Sequence, residues 1–358
     1  MSPSVSTPYS WSNSLVRRSR GSPRADRHLV QGTHVIAQLS VLAFGMSAAA
    51  VRAYLAVSRH RFLDEPGARS SHSVPTPTGG GFPAVLVFLV VGAIAVAMHA
   101  TTGGTRFWVS VGCASVLSLL GLLDDAFDLP AVVRFVCHAL VAFAIVHWLG
   151  HPGPQVGALA LLAAAVSVIA IIGSINAFNF MDGIDALVGG TGVVIASFLA
   201  VLTRDPLWFL LAASYAGFLV FNLPPARIFM GDAGSTTLGG LVAIALLSGR
   251  EHLEPRHLLL FGPLIGDAAY TFVRRLLRGE TVWRAHHSHL YQRLVRVGHS
   301  HARVSACYVI ATLAIGLLVT LGGMVSAIVG AVACASTILL LERYLSRAAQ
   351  TFKVAGKH

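Results

Sequence analysis

The feature that most constrains this chain is its succession of long apolar runs. Residues 33–57, 82–100, 106–123, 131–149, 156–173, 185–203, 207–222, 236–249, 256–273, 304–322 and 323–342 approach the roughly 20 mostly apolar residues that a helix needs to cross a bilayer. Eleven spans leave little chain for a soluble core. Lipid offers no partner to an open backbone, so the expected fold is an all-α polytopic membrane bundle. The eighth run is short and Gly-rich, and the last two are parted only by Gly322-Gly323, which leaves two helices or one broken helix open. No repeat of fixed period is visible. The expected organisation is a disordered, basic, Ser/Arg/Pro-rich tail over 1–32, one membrane domain over 33–343 and a basic tail over 344–358. The first run is long and lacks an obvious cleavage site, so it reads as a retained helix rather than a signal peptide.

Charge then orients the bundle. Only 11% of residues are charged, against roughly 25% in a soluble domain. Lys and Arg number 26 against 15 Asp and Glu. The loops after the odd-numbered spans, with the C-terminal tail, carry most of the basic residues, among them Arg59, Arg61, Arg69, Arg227, Arg274, Arg275, Arg278, Arg293 and Arg296. The opposite loops hold Arg106, Arg204, Arg250 and Arg256. By the positive-inside rule the first set faces the cytosol. The N-terminal tail conflicts with this: an odd number of spans puts Arg17, Arg18, Arg20, Arg24 and Arg27 outside, so the tail is an exception, the start differs, or a span is miscounted. The basic residues are scattered among apolar runs rather than gathered in a patch, which argues against a nucleic-acid partner. Cys113, Cys137, Cys307 and Cys334 lie in apolar runs without a metal spacing and read as small buried hydrophobes.

A carboxylate near lipid is costly unless paired or hydrated, so the few acids are informative. Asp124, Asp125 and Asp128 follow the third span, Asp182 and Asp185 precede the sixth, and Asp232 precedes the eighth, all on the Arg-rich side. Asp267 lies inside the ninth span and stands apart. Helix-end acids often cap helices or pair with Arg. Three acidic groups converging on one membrane face, each in a Gly/Asn-rich string, instead suggest a hard divalent cation such as Mg²⁺, with Mn²⁺ as the alternative ion.

Five strings carry the chemistry. In GLLDDAFDLP, adjacent Asp124 and Asp125 repel each other, which a cation would relieve. In GSINAFNFMDGIDAL, Asn176, Asn179 and Asp182 recur at intervals of three and would share a helix face, with Asp185 beyond. In NLPPARIFMGDAGSTTLGG, prolines stop a helix, glycines flank Asp232, and Phe229 is an aromatic suited to stack a base or to anchor at the interface. RAHHSHLYQRL brings His286, His287 and His289 among Arg284 and Arg293, where cations aimed at a pyrophosphate fit better than zinc. DEPGARSSHSVPTPTGGG offers Arg69 and His72 as phosphate-binding groups in what is otherwise a turn-rich linker.

Together, and in this order, the strings resemble the polyprenyl-phosphate N-acetylhexosamine-1-phosphate transferase family, relatives of phospho-N-acetylmuramoyl-pentapeptide-transferase, over about residues 33 to 342. The histidine loop looks most like the subgroup that primes O-antigen and related surface polysaccharides. The resemblance implies that the membrane domain is catalytic. It implies that Asp232 holds the metal, that one of the paired Asp124 and Asp125 deprotonates or orients the lipid phosphate, and that Phe229 packs on uracil; Asp125 is read as the second metal ligand, with the division of base and ligand roles between Asp124 and Asp125 left open. Asn176, Asn179, Asp182 and Asp185 match the nucleotide-sugar region, and His286 and His289 the histidine-loop positions near the pyrophosphate. Three positions depart from the family pattern: Arg134 stands where a phosphate-binding Lys is usual, Thr78 replaces an Arg, and His287 falls where Arg is often found.

The implied reaction is transfer of HexNAc-1-phosphate from a UDP-N-acetylhexosamine to undecaprenyl phosphate with release of UMP, in the bacterial cytoplasmic membrane, with a homodimer suggested by relatives. Two rival functions fit the residues less well. A secondary transporter would explain Asp267 and the Gly-broken helices, but no inverted repeat is visible and the polar residues lie at one face. A CDP-alcohol phosphotransferase needs an Asp three residues before Asp182, where Asn179 stands.

Overall fold

The computed structural model describes residues 23–58, 63–64, 74–281 and 286–355. Each expected span contains a helix, but the ninth run divides into a 3₁₀ turn and a helix that is not among the apolar ones. The helices are α1 (Pro23–Ser58), α2 (Gly81–Ala97), α3 (Thr105–Phe127), α4 (Ala131–Leu149), α5 (Ala158–Met181), α6 (Leu187–Leu202), α7 (Leu207–Asn222), α8 (Asp232–Ser248), α9 (Gly262–Leu277), α11 (His301–Leu321) and α12 (Met324–Ala355). Between α9 and α11 lies a short helix, α10 (Leu290–Arg296), and a 3₁₀ turn (Pro255–Phe261) precedes α9. The protein is thus the all-α polytopic membrane bundle the apolar runs predict. Six helices (α1, α3, α4, α5, α11 and α12) are long and apolar enough to cross a bilayer, and α2, α6, α7 and α8 are shorter apolar helices.

Some details differ from expectation. α1 starts at Pro23 rather than near residue 33, and α12 runs on to Ala355, so helix replaces part of both expected tails. Gly322 is extended and ends α11, which settles the last apolar stretch as two helices. Cys307 is exposed on α11 rather than buried. The linker before α2 is not wholly irregular: β1 (Leu63–Asp64) pairs antiparallel with β2 (Thr76–Pro77).

α8 forms the axis of the bundle, and every residue from Ala233 to Ala245 is buried. A helix enclosed by protein need not match the lipid thickness, which accounts for its short, Gly-rich sequence. Between helices in lipid the drive to associate comes from close packing of small residues rather than from water exclusion. The glycines act accordingly. A Cβ on Gly121 of α3 would sit 2.2 Å from Ala233 N, one on Gly81 of α2 would sit 2.3 Å from Gly234 Cα, and one on Gly239 would sit 2.7 Å from Ser174 O of α5. Ser174 Oγ also donates to Gly239 O across that last crossing at 2.9 Å. Three helices therefore touch α8 backbone to backbone. α12 is peripheral, with Leu339 and Leu340 turned outward.

Candidate functional site

The C-terminal ends of α3 and α5, the N-terminus of α8 and the loop before α10 surround a cleft of about 870 Å³ on the Arg-rich face. Its walls include Asp64, Thr78, Asp124, Asp125, Asp128, Asn179, Asp182, Asp185, Asn222, Phe229, Asp232, His287, Gln292 and Arg296. The acids that the sequence scatters over three strings thus share one cavity.

The α3 end is built by a left-handed cap. Asp128 takes φ 49°, a conformation Asp tolerates better than most residues, and its N–H donates to Asp124 O at 2.9 Å. The chain turns back through Pro130 into α4, so Arg134 returns to the site. Arg134 Nη1 lies 2.7 Å from Asp124 Oδ2 and 3.5 Å from Asp232 Oδ2. Leu129 N–H donates to Asp124 Oδ1 at 2.8 Å. Both oxygens of Asp124 are therefore engaged by protein donors.

Asp125 differs. Its Oδ1 accepts the Asp232 N–H at 3.1 Å, so the carboxylate lies at the N-terminus of α8, where the helix dipole favours negative charge. Its Oδ2 is buried and, among the described residues, has no hydrogen-bond partner. Gly231 carries φ +73°, and a Cβ there would lie 2.3 Å from that same Oδ2. The glycine before Asp232 is thus required twice, by the backbone and by the neighbouring carboxylate. A buried carboxylate oxygen without a donor, beside a second carboxylate, suits a hard cation. Among the described residues no three His, Cys, Asp or Glu side chains form a ready metal cluster, so Asp125 and Asp232 would be two protein ligands supplemented by water and phosphate oxygens.

The α5 string divides. Asn179 donates through Nδ2 to Ser235 Oγ at 3.3 Å and faces the cleft with Asp182. Asn176 lies a turn deeper and donates to Ile172 O of its own helix at 2.8 Å; it does not line the cleft. Burial, and after it the carboxylates of Asp232, Asp125 and Asp185, raise the Asp182 carboxyl well above the usual range. The folded state then holds a proton that the unfolded chain releases near pH 4, so without a cation stability falls as pH rises from there toward the folded value. Asp182→Asn is expected to flatten this slope, read as the thermal midpoint in detergent with chelator from mildly acidic to mildly alkaline pH; an unchanged slope would count against the acid cluster.

Asp185 lines the cleft but is also a structural junction. Its Oδ2 accepts the Ala226 N–H at 3.1 Å, its Oδ1 lies 3.1 Å from His301 Nδ1, and its carbonyl accepts Ser305 Oγ at 2.6 Å. Burial opposes its ionisation, but the His301 and Ala226 hydrogen bonds outweigh that and hold its carboxyl below the ordinary value. Phe229 lines the cleft and is placed by backbone pairing: its N–H donates to Pro77 O at 2.8 Å and its carbonyl accepts Gly80 N–H at 2.9 Å.

The histidine loop is arranged differently from what its sequence suggests. His287, not His286 or His289, lines the cleft. Burial first, and then the neighbouring His289, Arg275 and His287, push His286 down to about 4, so it is neutral near neutral pH rather than a standing cation. His289 is buried at the start of α10, its ring stacked on Tyr291 with centroids 5.8 Å apart and its Nδ1 3.6 Å from Asp267. Arg293 turns away from the cleft and pairs with Glu342 of α12, which Arg274 also approaches at 3.6 Å. Arg69, His72 and Arg284 lie outside the described residues.

Several cleft residues have no role assigned from sequence: Asp64, Asn222, Gln292 and Arg296. Asp267, unexplained by sequence, acquires one. It accepts the N–H groups of Leu290 and Tyr291 at 2.8 and 3.1 Å and the Tyr308 hydroxyl at 2.7 Å. It fastens the start of α10 to α9 and α11. A mid-span acid followed by a short polar helix was the available signal.

The chain is similar in sequence to known proteins. The sequence profile of glycosyl transferase family 4 matches residues 107–250, which reach from α3 to the end of α8 and contain all the acids of the α3, α5 and α8 strings. The probable undecaprenyl-phosphate N-acetylglucosaminyl 1-phosphate transferase of Bacillus subtilis is 31% identical over 67% of this chain and 71% of its own length. The decaprenyl-phosphate N-acetylglucosaminephosphotransferase of Mycobacterium leprae is 29% identical over 85% of each chain. The undecaprenyl-phosphate alpha-N-acetylglucosaminyl 1-phosphate transferase of Escherichia coli K12 is 26% identical over 73% of this chain and 75% of its own. With its acidic motifs gathered at one end of a helical membrane bundle, this chain belongs to glycosyl transferase family 4, the polyprenyl-phosphate N-acetylhexosamine-1-phosphate transferases.

Proposed function

We propose that the protein transfers HexNAc-1-phosphate from a UDP-N-acetylhexosamine to undecaprenyl phosphate, releasing UMP, as the priming step of a cell-surface polysaccharide at the cytosolic face of the bacterial cytoplasmic membrane. The observation that carries this reading is the buried Oδ2 of Asp125, without a hydrogen-bond partner among the described residues, beside Asp232 in a cleft that also holds Asn179, Asp182 and Phe229. An oxygen of the lipid phosphate forms a bond to the β-phosphorus, and the bridging bond to the α-phosphate breaks with its electron pair leaving on UMP. A divalent cation, Mg²⁺ or alternatively Mn²⁺, held by Asp125 and Asp232 would offset charge on the diphosphate and the departing UMP.

The chain's own residues supply placement. Asp124, with both oxygens engaged, positions Arg134 rather than acting as a free base. A phosphate monoester is already largely ionised near neutral pH, since its second pKa is about 6, so the acceptor needs no strong base. Phe229 offers an aromatic face to uracil, and His287 and Arg296 stand at the cleft wall for the phosphates. Positioning and charge neutralisation are the main demands of such a transfer.

The test uses purified protein, undecaprenyl phosphate and a panel of UDP-N-acetylhexosamines, with UMP as the readout. UMP release should require both substrates, stop with chelator and return with Mg²⁺. Release without the lipid acceptor, or undiminished in chelator, contradicts the proposal.

A further inference from the structure

A second cavity, about 660 Å³, lies between α9, α10, α11 and α12 and shares no lining residue with the acidic cleft. Small side chains open it: Ala311 and Ala314 on α11 face Ala333 and Cys334 on α12. Its depth is apolar. The carboxylate in its wall, Asp267, has both oxygens occupied by Leu290, Tyr291 and Tyr308, and so offers nothing to a polar ligand.

Its mouth is the opposite. His299, Arg303 and Tyr344 line one end and are already linked, with His299 Nε2 3.1 Å from Tyr344 Oη and Arg303 Nη1 3.5 Å from His299 Nδ1. Arg303 is exposed, and among the described residues no carboxylate pairs with it. This end lies on the Arg-rich face, because α11 starts beside Asp185 of the cleft.

The length of the slot narrows the choice of occupant. From Arg303 to Ile315 the α11 wall rises about 18 Å at 1.5 Å per residue, close to half of a hydrocarbon core of about 30 Å. An apolar slot one leaflet deep, ending in a guanidinium without a carboxylate, a histidine and a phenol, has the shape and charge of a phospholipid with an anionic head. A polyprenyl tail is several times longer than such a slot.

We infer that this slot is a binding site for an anionic phospholipid of the cytosolic leaflet, with one acyl chain between α11 and α12 and its phosphate at Arg303, His299 and Tyr344. α10 divides the two cavities. Leu290 and Leu294 face the lipid slot, while Gln292, Val295 and Arg296 face the acidic cleft. The bound lipid thus rests against the helix that carries one wall of the active site.

The experiment counts retained lipid by native mass spectrometry after the full-length protein is equilibrated with vesicles of phosphatidylcholine and phosphatidylglycerol. The protein should keep one phosphatidylglycerol in preference to phosphatidylcholine. Arg303→Ala should lower that retention about five-fold, the loss of one basic contact near a membrane surface. Ala311→Phe should abolish it by filling the slot, and the exposed Arg303→Ala substitution keeps the test valid even where the core variant folds poorly. Equal retention by wild type and Arg303→Ala, no preference between the two lipids, or displacement by one equivalent of undecaprenyl phosphate overturns the assignment. None of these readouts depends on transferase activity.

Discussion

Asp125→Asn and Asp232→Asn should each lower UMP release by about 10²–10³-fold or more, the scale on which loss of one charge-stabilising group acts at a reacting centre. The prediction rests on a difference within the Asp124–Asp125 pair. Asp124 is saturated by Leu129 N–H and Arg134, whereas Asp125 Oδ2 is buried without a partner among the described residues. An amide at position 125 keeps an oxygen to accept the Asp232 N–H but puts a neutral NH₂ where a cation would need an anionic ligand. The fold should survive, since substitution relieves repulsion among Asp125, Asp182 and Asp232. Thermal midpoints in chelator should therefore stay level or rise while turnover collapses. Asp124→Asn is the internal comparison: it weakens one hydrogen bond to Arg134 and should cost about ten-fold, a positioning loss. Measuring UMP release and thermal midpoint for all three variants decides the matter. Full turnover in either Asp125→Asn or Asp232→Asn would remove the proposed cation site.

Gly121→Ala should destabilise the protein by about 1–3 kcal/mol or more and depress turnover, although it adds one methyl group to an apolar helix. Its Cβ would lie 2.2 Å from Ala233 N and 2.3 Å from Asp232 C, both backbone atoms that cannot turn aside as a side chain could. α3 and α8 would have to separate, and that crossing sets the approach of Asp125 to Asp232. Gly112, in the same helix, is the matched control: a methyl group added there would meet nothing within 4 Å. Gly112→Ala should be neutral or stabilising by up to about 1 kcal/mol, because alanine favours a helix interior. Thermal unfolding in detergent, with UMP release on the same preparations, separates the two. Equal behaviour of the two alanine variants would mean that the α3–α8 contact does not limit the site.

The spans and the acids are legible in sequence because both are set by local cost. An apolar run must be a helix in lipid, and an Asp beside lipid must have a purpose. The positions that sequence does not resolve depend on side-chain contacts that no apolar pattern announces. Which of Asp124 and Asp125 is engaged follows from Arg134 returning through a left-handed Asp128, a turn with no apolar pattern to announce it. The histidines form one group in sequence, yet the loop before α10 gives them different surroundings: His289, with the His286 ring 5.0 Å away, sits at the junction with Asp267, while His287 lines the cleft. Arg293 resembles a phosphate ligand in sequence because its partner, Glu342, lies in the last helix. Asn176 shares the spacing of Asn179 and Asp182, but its place on α5 is a turn deeper, where its own helix carbonyl satisfies it.

The enclosure of α8 has one further consequence. From Ala233 to Ala245 this helix meets protein on every side, so bilayer thickness has no direct hold on it. Hydrophobic mismatch is taken up by tilting or snorkelling at lipid-exposed helices, and here those are peripheral ones such as α12. The position of Asp232 is therefore shielded from membrane thickness, whereas Asp125 rides on α3, which still turns Leu119 and Leu123 outward, so any effect of thickness on their spacing must come through α3.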